Sequence, residues 1–377
     1  MKSGERMRRL RDDTTAQGVS VDDVRGLVVA RNLAFGQDTQ QAVARHAWNH
    51  MFGAGPLQGL LEDPLVTDIL VNGHQVWVDR GQGLVDAGLS LESPRAAREL
   101  AVQLATRAGA RLDDAHPVVD AQLPDGSRLH AVIEPISPTP ATISLRAFRA
   151  RHLSLRDLVQ WDMIPAQWVS VFTALVEHRV NLLISGGTGT GKTTLLSTLL
   201  GHVPHTERII TIEDSREIAT THPHVVALQS RAANAEGAGA VDLTELVRNA
   251  LRMRPDRVML GECRGAEIRD LLMAFNTGHS GGAATLHANS AHDVPARLIA
   301  LGALAGMDPQ TTVLQVASAL DVIVHITRPP HGRRYISDIS ALTCSDSGHL
   351  VVQPLLTWDG VSVPRRHDVS VVPAWLA

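Results

Sequence analysis

The stretch Gly186-Gly187-Thr188-Gly189-Thr190-Gly191-Lys192-Thr193 decides the reading of this chain. It fits the spacing G-x-x-x-x-G-K-[ST], and its flanks supply the right setting. Residues 180–184, apolar except for Asn181, read as a buried strand, and residues 194–200 read as a helix. Between such a strand and helix, glycines let backbone N–H groups wrap phosphates while the helix amino end adds partial positive charge. Lys192 is expected to reach the β- and γ-phosphates and the Thr193 hydroxyl to ligate Mg²⁺, with Thr194 next in line beside the nucleotide. The expected cofactors are therefore ATP and Mg²⁺.

Outward from this loop the sequence alternates between helix and strand patterns. Trp168, Val171, Phe172, Leu175 and Val176 form one apolar face at helical spacing before the loop. After it come strand runs at 208–212, 258–260, 283–286 and 320–326. Helical stripes at Leu243, Leu246, Val247, Ala250, Leu251 and at Ile268, Leu271, Leu272, Phe275 lie between them. Buried strands alternating with amphipathic helices predict an α/β domain with a mostly parallel sheet covered on both faces.

Such sheets bind ligands beyond the carboxyl ends of their strands. Two strands deliver carboxylates there: Glu213 closes Ile212-Glu213-Asp214-Ser215 and Glu262 closes Leu260-Gly261-Glu262. A carboxylate at that edge can orient or deprotonate an attacking water beside Mg²⁺, so both are candidates for catalysis and for metal contact. His287, in Thr285-Leu286-His287-Ala288-Asn289, can donate to a γ-phosphate. His279, in the glycine-rich run 276–282, is a second candidate. The chain holds 18 histidines, so position and neighbours, not residue type, single these two out; neither has ligand-spaced Cys or His around it to form a zinc site.

Residues 51–148 have a different texture, with short apolar runs broken by turns. Residues 68–73 read as a strand ending in Asn72-Gly73, 75–79 as its partner, and Ser93-Pro94 as the start of a helix. A second hairpin turns at Pro124-Asp125-Gly126, and 141–148 is a further strand, which gives an α+β domain with an antiparallel sheet. Residues 1–50 read as an arginine-rich lead-in with helical sequence, 149–157 as a hinge, 158–377 as the second domain. Residues 232–240 read as a flexible loop, and the tail as a hairpin around Ser345-Asp346-Ser347-Gly348.

The 377 residues carry a formal net charge of −4 and only 3% aromatic residues, which argues against a basic, base-stacking channel, so no specific nucleic-acid partner is expected. Cys263 and Cys344 form no C-x-x-C pair and read as reduced thiols of a cytosolic protein. The polar start does not read as a signal peptide. The most apolar run, 298–307, is about half of the ~20 residues that a bilayer span needs. Any membrane role is expected to come through a partner.

The four elements in this order resemble the type II/type IV secretion ATPase superfamily. The loop from Gly186 is similar to its Walker A motif, 208–214 to its Asp box, 254–265 to its Walker B region, and 276–282 with 285–289 to its His box. Leu123-Pro124-Asp125-Gly126-Ser127-Arg128 and Ile143-Ser144-Leu145-Arg146 resemble its arginine segments, and the likeness runs over about 50–345. Within it the Tad-pilus assembly branch looks nearest, because the four-cysteine module of other branches is missing; a type IV secretion or conjugation ATPase is the alternative, as is a nucleotide-gated scaffold with little turnover. The resemblance implies a RecA-like core and a homohexamer with ATP between the N-terminal domain and that core. It also implies docking on inner-membrane platform proteins at the cytoplasmic face, and Arg128 and Arg146 acting on the nucleotide. His130, Cys263 and Gly261 depart from the family pattern, the last standing where many P-loop enzymes carry aspartate.

Overall fold

In a computed structural model the described residues are 37–81, 83–148, 152–231, 238–329, 332–368 and 373–376, with 20, 22–24, 26 and 233 besides. The arginine-rich start, residues 149–151 of the expected hinge and much of the expected 232–240 loop lie outside them. The chain falls into two units, Met1–Arg149 and Ala150–Ala377.

In the first unit, the strands β1 (Asp68–Asn72), β2 (Gln75–Asp79), β3 (Leu84–Ser90), β4 (Val118–Gln122), β5 (Arg128–Ile133) and β6 (Ala141–Arg146) form an antiparallel sheet in the order β3-β2-β1-β6-β5-β4. Alternation sets its inner face: Ile69, Val71, Val76, Val78, Leu129, Ala131, Ile143 and Leu145 are all buried. They pack with Ala97, Leu100, Ala101 and Leu104 of the helix Pro94–Arg107. That helix starts as its sequence predicts, with the Ser93 hydroxyl accepting from Ala96 N at 3.1 Å and proline in the first turn. Gly73 supplies the left-handed turn between β1 and β2, at φ 65°.

Among its described residues the second unit holds nine strands: β7 (Leu182–Gly186), β8 (Ile209–Glu213), β9 (Val225–Gln229), β10 (Arg257–Cys263), β11 (Ala283–His287), β12 (Val322–Thr327), β13 (Tyr335–Cys344), β14 (Leu350–Thr357) and β15 (Arg365–Arg366), in the order β15-β14-β13-β12-β7-β11-β10-β8-β9. The run from β12 to β9 is parallel throughout, and β13, β14 and β15 extend it antiparallel. The sheet is thus mixed, with the parallel part at its centre. Alternate residues feed two cores. Leu182, Ile184, Met259, Val322 and Val324 pack with the helices Trp168–Glu177 and Lys192–Leu200. Leu183, Val258, Leu260, Ala284 and Ile323 pack with the helices Leu243–Leu251, Glu267–Asn276, Val294–Leu304 and Pro309–Ala319. Burial on both faces is why β7 and β8 are apolar almost without interruption.

The hinge expected over 149–157 runs into a helix. Ser154 caps Leu155–Gln160 in a capping box, its hydroxyl accepting from Asp157 N while the Asp157 carboxylate accepts from Ser154 N at 2.7 Å. Residues 154–157 of the expected hinge are thus the cap and first turn of that helix. No helix among the described residues is long and apolar enough to cross a membrane.

Candidate functional site

Because β7, β8, β10 and β11 run parallel, their carboxyl ends meet at one edge of the sheet. That edge receives Gly186, Glu213, Glu262 and His287. The loop leaving β7 is shaped by its glycines. A Cβ on Gly186 would lie 2.6 Å from the Ile326 carbonyl oxygen, and Gly191, at φ 101°, is the left-handed residue from which the helix Lys192–Leu200 starts. Thr190 closes the loop on itself, its hydroxyl donating to Gly187 O at 3.0 Å.

Lys192 is buried, and its ammonium donates to Gly186 O at 3.0 Å and Gly187 O at 2.8 Å. Burial lowers its pKa, while the carboxylates of Glu262 and Glu217 oppose the shift. The point charge is therefore held against the carbonyls of the glycine loop. Thr193, one residue on, points its hydroxyl at Glu217 Oε2, 3.5 Å away.

Glu213 is buried at the end of β8, and one carboxylate oxygen accepts from both Glu217 N and Ile218 N at 2.9 Å. Burial outweighs these two amides and raises its pKa to about 7. One oxygen is thus committed to the backbone, and a carboxyl that titrates near neutrality is suited to hold or pass a proton. Gly261 explains the room it has: a Cβ there would lie 2.8 Å from Glu213 Cγ. Thr285 fixes that glycine by donating to its carbonyl at 2.5 Å.

Glu262 is about one-third exposed, and its Oε1 lies 3.1 Å from His287 Nε2. Arg264 Nη2 reaches Glu262 at 3.8 Å and Asp214 at 2.5 Å. The Asp214 carboxylate in turn accepts from the Ser230 hydroxyl at 2.8 Å. Burial pushes the His287 pKa down, with Lys192 adding to the effect and Glu262 opposing it. Its backbone is held by Arg297, which donates to His287 O at 3.2 Å.

His279 is placed elsewhere. Its Nδ1 lies 3.3 Å from Ala274 O at the end of the helix Glu267–Asn276. The amides of Gly281 and Gly282, which follow it, donate to Asn181 at the amino end of β7. Within one chain His279 is therefore at the opposite edge of the sheet from Lys192. The glycines beside it serve packing: a Cβ on Gly282 would meet the Phe275 ring, and one on Gly281 would lie 2.8 Å from the buried guanidinium of Arg257.

In the first unit, Arg128 and Arg146 are brought side by side as direct partners across β5 and β6. Arg128 is paired at two points with Asp120, Nε to Oδ1 at 3.1 Å and Nη2 to Oδ2 at 2.7 Å. Asp68 stands opposite Arg146 on β1. The preceding turn is braced by Ser127, which bonds Asp125 and accepts from Phe148 N.

Mg²⁺ takes hard oxygen ligands and usually keeps several waters, binding through one or two protein oxygens plus phosphate. Thr193 Oγ1 with the carboxylates of Glu217 and Glu262 fits that donor chemistry. Among the described residues, no group of three or more His, Cys, Asp or Glu is arranged as a closed metal cage. Sequence reasoning missed Glu217 and Arg328. Glu217 lies four residues beyond Glu213 in the same loop, a spacing that could have flagged it. Arg328 follows β12, and its Nη1 would be 3.9 Å from a Cβ on Gly189; nothing local in the sequence signals that approach.

Fold and site together define a mixed α/β protein with a glycine-rich loop between a buried strand and a helix. Residues 51–359 match the family model described as Type II/IV secretion system protein. The chain belongs to that family, and is an ATPase of the type II/type IV secretion superfamily. A putative conjugal transfer protein of Mycobacterium tuberculosis strain H37Rv is 45% identical over 313 residues, covering 81% of this chain and 88% of that one. The conjugal transfer protein TrbB of Rhizobium radiobacter is 32% identical over 280 residues, 73% of this chain and 83% of its own. Among solved structures, the Legionella pneumophila ATPase DotB matches with a TM-score of 0.52 at 19% identity, over 79% of each chain. At that identity the likeness is one of fold.

Proposed function

We propose that this chain is a ring-forming motor that hydrolyses ATP with Mg²⁺ at the carboxyl edge of its second unit, and that the hydrolysis drives transport at a membrane-bound secretion or pilus machine. The observation that carries the reading is the convergence there of Lys192 and Thr193, on the helix that follows β7, with Glu213, Glu262 and His287 at the ends of the parallel strands β8, β10 and β11. The strand order β12-β7-β11-β10-β8 supports a RecA-like core, with the phosphate loop on a central strand flanked on both sides.

In this mechanism the loop amides and Lys192 hold the β- and γ-phosphates, and the Thr193 hydroxyl would hold Mg²⁺, which would supply neutralisation of phosphate charge. Glu262 orients and deprotonates the water, and Glu213 is the nearby carboxyl able to relay a proton at neutral pH. His287, held against Glu262, is the donor that reports the γ-phosphate. Arg128 and Arg146 supply always-charged guanidinium groups to the phosphates. Whatever membrane contact the machine needs is made through platform proteins at the cytoplasmic face.

Transport for conjugation or type IV secretion is favoured as cargo class by the conjugal transfer proteins among the relatives; Tad-type pilus assembly is the second reading, supported by the motif set and the missing four-cysteine module. Both use the same chemistry. The test is purified protein with ATP and Mg²⁺. The full chain is expected to turn over ATP and to form a closed ring, the outcome for a repeating head-to-tail interface that does not make a filament. Lys192→Ala should abolish turnover while the fold survives. Near-normal ATPase in that variant, or a strictly monomeric mass at micromolar protein with nucleotide, would sink the reading.

A further inference from the structure

Beneath the phosphate loop lies a buried polar contact that the mechanism above does not use. His325 on β12 is 3% exposed and Ser185 on β7 is fully buried. The two are cross-strand partners, and His325 Nδ1 lies 2.9 Å from Ser185 Oγ. The backbone of Asn289, just past the end of β11, also acts on this imidazole and favours its charged form. Since β12 and β11 flank β7 on opposite sides, the ring is bonded to the strand that carries the loop and acts beyond it on the segment that follows β11.

Each end of this bridge touches the nucleotide machinery at one remove. Ser185 precedes Gly186, whose carbonyl accepts from Lys192 Nζ at 3.0 Å. Asn289 lies two residues beyond His287, whose Nε2 is 3.1 Å from Glu262 Oε1. On the same face of the sheet the neighbouring positions Leu183, Leu286 and Ile323 are apolar and buried. Packing alone would be met by two more apolar residues, since a buried hydroxyl and imidazole cost free energy unless their hydrogen bonds are made. What the polar pair adds is direction: a hydrogen bond that ties the loop strand β7 to β12 at one fixed orientation.

We propose that His325 is a positioning residue for ATP hydrolysis, holding the phosphate loop and the His287–Glu262 pair in register through Ser185 and Asn289. The inference rests on the nucleotide reading of the same edge. A support of this kind acts on the chemical step more than on substrate affinity, because the loop amides still bind phosphate when the register to Glu262 is lost.

The experiment compares His325→Phe, which fills the space without the polar contacts, with His325→Gln, which keeps a donor and an acceptor, and with Ser185→Ala, in the full chain. The readouts are kcat, KM for ATP and the thermal midpoint. His325→Phe is expected to lower kcat about 10–100-fold, the range for lost outer supports of a site, with KM within about twofold. His325→Gln should recover most of that loss, and Ser185→Ala combined with His325→Phe should be no worse than His325→Phe alone. If His325→Phe keeps its kcat, or if Phe and Gln lose kcat and thermal midpoint together, the imidazole is a packing group and the proposal falls. Should His325→Phe fail to fold, Ser185→Ala with unchanged kcat overturns it just as well. Loss of turnover in Lys192→Ala alongside a normal His325→Phe would remove this inference and leave the nucleotide reading standing.

Discussion

A Cβ on Gly261 would stand 2.8 Å from Glu213 Cγ, so the glycine that precedes Glu262 is what lets a second, buried glutamate lie beside it. The place where many P-loop proteins carry an aspartate is here occupied by the side chain of a neighbouring strand. Gly261→Ala is expected to push Glu213 off the amides of Glu217 and Ile218 and to lower kcat about 10²-fold, the scale of a misplacement near 1 Å. Wild-type kcat in that variant would show that the position of Glu213 is immaterial to turnover.

Glu262→Gln separates binding from chemistry. The amide keeps the shape and a hydrogen bond to His287, but cannot accept the proton of the attacking water. Turnover is expected to fall about 10²–10⁴-fold, the usual worth of a general base, with ATP binding preserved. Hydrolysis at the wild-type rate would move the role of base to Glu213.

The buried carboxyl of Glu213 also links stability to pH. Its pKa rises from 4.5 to about 7 on folding, so between those values the folded chain binds a proton that the unfolded chain has lost. Stability from this group is full below pH 4.5, falls as pH rises to about 7, and is level above it. The loss is on the order of 3 kcal/mol. Measured by urea unfolding in EDTA without nucleotide, Glu213→Gln should gain on the wild type across that window. A difference between the two that stays constant from about pH 5 to about pH 8 would mean that the carboxyl titrates as in water.

The adjacency of Arg128 and Arg146 across β5 and β6 concentrates two positive charges at one place on the first unit. The Asp120 partner of Arg128 is itself half-exposed, where salt and solvent screen the pair, so a phosphate can compete for the guanidinium. Arg128→Ala and Arg146→Ala are each expected to cut turnover by about 10³-fold or more, as for arginine groups acting on a transferring phosphate. Full ATPase activity in both variants would exclude them from the reaction.

The sequence made the centre of the second unit legible because burial on both faces leaves an apolar run with a motif at its end, as in β7 and β8. The strand β9 escaped notice because it is an edge strand, half-exposed, with no such run. The helix Pro309–Ala319 carries a weaker stripe, broken by polar residues, and was likewise not foreseen. Of the candidate site, Lys192, Glu213, Glu262 and His287 were readable because a strand end fixes where a residue lands. The bond of His325 to Ser185 was not, for the partners are 140 positions apart in sequence and only the strand order joins them. His279 shows the converse: a motif neighbour of His287 in sequence, it is separated from it by the length of β11.

The hairpin of β13 and β14 projects its turn, residues 345–349, at the edge of the sheet opposite the phosphate loop, since β13 runs antiparallel to β12. Asp346, Ser347, Gly348 and His349 are exposed there, and their bonds are local ones, Ser345 N to His349 O and Gly348 N to Ser345 O. Exposed tips of this sort tolerate inserted sequence. A short epitope or fluorophore-binding tag placed between Ser347 and Gly348 would therefore give a handle for watching single subunits in a working machine without touching the chemistry that drives it.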